Sequence, residues 1–276
     1  MVAERTPFTR WREQHTAVDR YENHVARGII EGARIVNAFG EIDALAGTTN
    51  HIIWPLQADP TLNIPSPAGE QIEFVSTSAQ DAAGGTGITT VQMHYLDGNL
   101  DPANEEIPLN GLTPVRSQAT DVRFIQCLHM DGYGGTRTAE GNISAYEIGD
   151  ATNIYSYIAA GSKRCSSSAR RVPRGKILFV KALWGGVSSG TAAARGTIRL
   201  VTTYLEGHDY TEDGITMPQA GISLQDASVT LTLDQPLPVP PGVVVAMETT
   251  VDKDATVNGG WAGWWENAPP VQAPIS

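Results

Sequence analysis

Gly84–Leu96 reads GGTGITTVQMHYL, and what the glycines lead into decides the fold. A phosphate-binding glycine loop needs a helix start directly after it, because the unpaired amides of the first turn and the dipole behind them hold the anion. Here the following residues are β-branched and then alternate: Val91, Met93 and Tyr95 are separated by Gln92 and His94. That period of two belongs to a half-buried strand. The lysine and Ser/Thr that would complete a G-x-x-x-x-G-K-[ST] motif are also missing. The run from Ser78 is therefore a bend entering a strand, with Gly84, Gly85 and Gly87 giving the backbone its freedom.

The same period extends outward. Ile72 and Phe74 alternate upstream, Asp97-Gly98-Asn99 and Asn110-Gly111 supply turn chemistry, and Val122 and Phe124 begin a further strand. Two longer segments share one scheme of apolar strand, Gly-Gly loop and second strand. They start at Arg123 (RFIQCLHMDGYGG) and Lys176 (KILFVKALWGG), and each is expected to be a long hairpin. Residues 224–251 add two strands, with Pro236 to Pro241 expected as a stiff corner between them. Roughly eight to ten short antiparallel strands make an all-β chain of the β-sandwich or jelly-roll kind.

This body is expected over residues 68–267, as one unit or as two (68–150 and 151–267), followed by an extended proline-rich tail, 268–276. Residues 1–67 read as an extended N-terminal arm. Within it Trp11, His15, Val18, Tyr21 and Val25 have the spacing of a short amphipathic helix over Thr9–Ala26, with Thr9 as its cap. Residues 28–67 hold one or two short strands in GARIVNAF and HIIWP. A loop-rich stretch of that length implies a partner surface that holds it.

The 276 residues carry a net charge of -11. That balance argues against a surface devoted to nucleic acid or to an anionic membrane. No apolar run reaches the ~18 residues of a membrane span. The opening MVAERTPFTRWREQ lacks the apolar core of a secretory signal, so a soluble chain made in a cytoplasm is expected. Cys127 and Cys165 lack metal-site spacing. They read as buried reduced thiols, or as one bridge between them.

No pattern points to catalysis or to a cofactor. The six histidines are scattered, and His208-Asp209 with Glu206 or Asp213 is at most a weak metal pair among loop acids. There is no G-x-S-x-G, and Ser166-Ser167-Ser168 has no His or Asp near it in sequence. Glu105 and Glu106 are adjacent strand residues that point to opposite faces.

Two features remain. GSKRCSSSARRVPRGK carries Lys163, Arg164, Arg170, Arg171, Arg174 and Lys176 with no acid among them. It reads as a solvated loop or as a contact to an acidic neighbour or a copy of the chain. Trp261, Trp264 and Trp265 in GGWAGWWENAPP read as core packing at a strand end, with a subunit contact or a sugar-stacking platform for a host-surface glycan as the alternatives.

STSAQDAAGGTGITTVQMHYLDGNLDPANEEIPLNGLTPV, Ser76–Val115, resembles a segment of structural proteins of tailed, especially marine, bacteriophages. The matching positions include Ser78, Asp81, Gly85, Thr86, Gly87, Leu96, Asp97, Asn99, Glu105, Leu109, Asn110, Gly111, Thr113 and Val115; VNAFGEID and IIWP resemble the arm before it. The resemblance implies a non-catalytic virion component, in the capsid decoration, tail, baseplate or fibres. It would be assembled in the host cytoplasm and contact copies of itself and other virion proteins. The family has no catalytic residues to carry over. The contact residues expected here are Arg164, Arg170, Arg171, Arg174, Trp261, Trp264 and Trp265.

Overall fold

The computed structural model describes residues 21–44, 46–47, 50–54, 62–189, 193–204 and 216–268. Helix α1 (Tyr21–Ala26) leads into β1 (Arg34–Ala44) and the short β2 (His51–Ile52). Next come β3 (Ile72–Ser76), β4 (Ile88–Leu96), β5 (Pro102–Pro108), β6 (Val115–Arg116), β7 (Phe124–Tyr133), β8 (Ile143–Glu147) and β9 (Asp150–Ile158). The chain continues through β10 (Arg170–Arg171), β11 (Lys176–Ser188), β12 (Arg195–Thr203), β13 (Thr216–Gln225), β14 (Ser228–Val239), β15 (Val244–Val251) and β16 (Ala255–Asn267). The fold is all-β with antiparallel sheets, as the alternation requires.

The sheets fall into two pairs. In the first, β1-β16-β11-β14 faces β10-β15-β12-β13, with β2 added beside β15. Numbered one to eight along the chain, leaving out β2, these strands run 1-8-3-6 and 2-7-4-5. That order arises when a long antiparallel hairpin of the pairs 1-8, 2-7, 3-6 and 4-5 is rolled into two layers, and it is the jelly-roll topology. Its core holds Ile53, Leu178, Leu183, Ile198, Leu200, Met247 and Trp261.

The second pair, β6-β3-β8-β9 and β5-β4-β7, is built between β2 and β10. Ile72, Phe74, Val91, Met93, Leu128, Ile143 and Ile158 fill it. A smaller cluster joins the pairs, packing Leu96 and Phe124 against Ala169, Val201, Val244 and Ala246. Each buried side chain of this size stabilises by about 1.5–3 kcal/mol relative to its exposed state. The small joint is therefore weaker than either core.

Three expectations are revised. The segments from Arg123 and Lys176 are not hairpins: β7 and β8 lie in different sheets, as do β11 and β12. Each segment arches from one layer to the other, because alternation marks which face is buried and not which strand pairs. Pro236 and Pro238 lie inside β14, an edge strand where a missing N–H is tolerated. Only Pro240-Pro241-Gly242 forms the corner, Gly242 taking φ 81°. Arg34–Ala44 is one long strand paired along its whole length with β16, from Arg34 opposite Trp265 to Ala44 opposite Ala255. Of the expected helix only Tyr21–Ala26 falls among the described residues; Thr9, Trp11, the acids around His208, and residues 269–276 lie outside them.

Candidate subunit-contact surface

The glycine bend is organised by a residue to which the sequence reading gave no role beyond a position of the phage-like match. Asp81 is fully buried, and its carboxylate accepts from Ile88 N at 2.8 Å, Glu140 N at 3.0 Å, Gly141 N at 2.9 Å and Ser76 Oγ at 2.6 Å. A Cβ on Gly87 would meet Asp81 Oδ1 at 2.1 Å, so that glycine is needed for close approach; Gly84 takes φ 81°. The bend is wrapped around an anion of its own. The sequence signal for this was one acid in a run of small residues, at a position of the phage-like match.

The basic segment divides in two. Arg170 Nη1 donates to the carbonyls of Ser167 and Ala169 at 3.2 and 2.6 Å. Buried Arg171 donates through Nε to Gly242 O at 2.9 Å, and Lys176 Nζ donates to Gly32 O at 3.1 Å and to Asn267 Oδ1 at 2.6 Å. Arg170 thus ties down the segment that enters β10, while Arg171 and Lys176 fasten β10 and β11 within the first sheet pair. Lys163, Arg164 and Arg174 are exposed.

The three tryptophans of β16 also part company. Trp261 and Trp265 pack with the first core, Trp261 fully buried with Nε1 donating to Ser168 O at 2.9 Å. Trp264 faces the other side of the sheet, between Tyr21 of α1 and Phe179 of β11, each with its ring centroid 5.6 Å away. Successive strand residues point to opposite faces, so the three indoles share no platform.

Trp264 marks one end of an apolar outer face on the sheet β1-β16-β11-β14. Ile35 lies opposite Trp264 and Phe39 opposite Gly260. The Trp184 indole lies across Gly260, where a Cβ would meet Trp184 Cζ2 at 2.6 Å. Tyr21, Ile35 and Phe39 are 42%, 45% and 38% exposed. Helix α1 covers the Trp264 end of this face, while Phe39 lies at the uncovered end. Sequence reasoning missed the face because Ile35 and Phe39 alternate with the buried Ala38 and Ile42 in one short apolar burst.

A cleft of about 580 Å³ opens where the two sheet pairs meet, lined among others by Arg34, His94, Tyr95, Arg170, Lys176 and Trp265. His94 stacks on His129 of the neighbouring strand, centroids 4.9 Å apart. Burial, and then the charge of His129, hold His94 below the usual histidine value.

No protein-family model matches the sequence, and no curated protein does. Among solved structures, one described as "Structure of infectious bursal disease virus Gx strain" aligns with a TM-score of 0.25 and 9% identity. The alignment covers 86% of this chain and 73% of that chain.

Proposed function

We propose that this protein is a non-catalytic structural component of a tailed-bacteriophage virion, placed in its capsid decoration or tail and acting through contacts with its own copies and with other virion proteins. The observation that carries this is the 1-8-3-6 and 2-7-4-5 strand order of the first sheet pair. That architecture recurs in viral capsid, lectin and cupin domains. Of these uses, subunit contact is the one that an apolar outer face fits. The phage-like segment Ser76–Val115 supports the same choice, since it lies in the second sheet pair and supplies Asp81 and its bend.

The mechanism is adhesion. Tyr21, Ile35 and Phe39 are each less than half exposed, so covering them gains about 1 kcal/mol apiece at ~25 cal/mol per Å². Association costs on the order of 4–15 kcal/mol in lost freedom. One such face cannot offset that cost alone, and repeated contacts in a symmetric assembly can. Exposed Lys163, Arg164 and Arg174 on a chain of net charge -11 favour approach of a basic edge to an acidic surface of the next copy. Peptide mass spectrometry of gradient-purified particles tests the proposal. The protein is expected in fixed stoichiometry to the other particle proteins, and its absence from particles would sink the idea.

A further inference from the structure

Cys127 lies on β7, and Cys165 lies on the segment that runs from β9 to β10. The two are 38 residues apart in sequence, yet their sulfurs are 3.0 Å apart and share a hydrogen bond. Backbone bonds fix this approach. Cys165 N donates to Leu128 O at 2.9 Å and Met130 N to Lys163 O at 2.8 Å, on either side of a bridge between His129 and Arg164. Leu128 N in turn donates to Cys165 Sγ at 3.4 Å. A disulfide holds its sulfurs about 2.05 Å apart. Closure therefore needs the sulfurs to approach by about 1 Å.

We infer that Cys127 and Cys165 are an oxidation site: they join as an intramolecular disulfide when the protein meets a small-molecule disulfide such as oxidised glutathione, and remain thiols in a reducing cytosol. Cys127 is half-buried and Cys165 is buried, so the exchange enters through Cys127. The Cys127 sulfur attacks one sulfur of the oxidant, whose S–S bond breaks and releases one thiol. Cys165 then attacks Cys127 in the mixed disulfide and displaces the second thiol. Two cysteine thiols are oxidised, one external disulfide is reduced, and the two cysteine protons leave on the two released thiols. The hydrogen bond with Cys165, and then burial, push the Cys127 thiol up, so access rather than acidity makes it the point of entry, while the same bond lowers the Cys165 thiol, with burial opposing and the Arg170 charge assisting. That suits Cys165 to the resolving step.

The location gives the bond a consequence. Cys165 packs in the second core. Three residues on, Ser168 N donates to Ile53 O at 3.1 Å, and Ser168 O accepts from Trp261 Nε1 at 2.9 Å in the first core. The bridge would pin the chain where it passes from one sheet pair to the other, where the joining cluster is small. Among the described residues, no group of three or more His, Cys, Asp or Glu is placed to hold a metal ion. The site is thus a thiol pair with no metal cage around it.

The test uses the full chain, purified in reductant, equilibrated in a mixture of reduced and oxidised glutathione, then denatured in excess maleimide. The expected product is a monomer on a non-reducing gel that has lost two hydrogens, carries no maleimide and yields a linked Cys127–Cys165 peptide. Its melting midpoint should rise by roughly 5–10 °C over the reduced protein. In Cys165→Ser, glutathione should accumulate on Cys127. Two maleimide labels after equilibration, stable glutathione on both cysteines, or a crosslinked dimer would overturn the inference; an unmodified Cys127 in Cys165→Ser would overturn the order of attack.

Discussion

Ile88, the first residue of β4, donates its backbone N–H to Asp81 Oδ1 at 2.8 Å, so the strand begins at a carboxylate buried inside the bend that precedes it. The anion that the glycines approach belongs to the chain, and three further donors complete its shell. Asp81→Asn keeps the shape but turns one acceptor oxygen into a donor facing donors. The expected loss is on the order of 3 kcal/mol in urea unfolding, since hydrogen bonds to a charged group contribute about 1.5–3 kcal/mol each. A variant as stable as the parent would show that the shell is not structural.

Trp261→Phe removes the donor to Ser168 O, a carbonyl on a fully buried residue. The unpaired carbonyl and the space left by the indole should together cost on the order of 3 kcal/mol. Trp265→Phe, at a half-buried position, should cost under about 1 kcal/mol. Equal losses in the two variants would contradict the placement of these indoles.

Much of this fold was legible in the sequence, and the limits were physical. Alternation at Val91, Met93 and Tyr95 identified β4 and its buried face, and Asp97-Gly98-Asn99 identified a turn. Alternation cannot say which strand a face packs beside. The pairing of β1 with β16 joins residues more than two hundred positions apart, and the β7–β8 and β11–β12 arches look like hairpins until the sheets are assigned. The contact residues behaved similarly. Arg164 and Arg174 are exposed, but the partners that bury Arg171 and Trp261 come from Gly242 and Ser168, which no local pattern connects to them.

The His94–His129 stack should give stability a dependence on pH. Burial and the neighbouring charge lower His94 in the folded state. Its contribution is then fully present above the unfolded histidine value of about 6.5 and is lost as pH falls through the lower folded value. Thermal midpoints should therefore drop as pH is lowered from about 7 toward 5, and His129→Gln should lessen that drop. An unchanged slope in the variant would remove the stack as its cause.

Ile35 and Phe39 are exposed on one face of β1. The double replacement Ile35→Ser, Phe39→Ser should cost about 2 kcal/mol in unfolding, since more than half of each side chain is already buried, while weakening self-association in sedimentation experiments. A loss of stability with unchanged association would mean that the face serves the fold and not a contact.

The most direct test of the central claim is the mass of the native protein by light scattering across a concentration series, read beside its presence in purified particles. A virion structural protein working by repeated contacts should appear as a defined multiple of 29.5 kDa, or be recovered with the particles. A monomer at every concentration that is also absent from particles would contradict it.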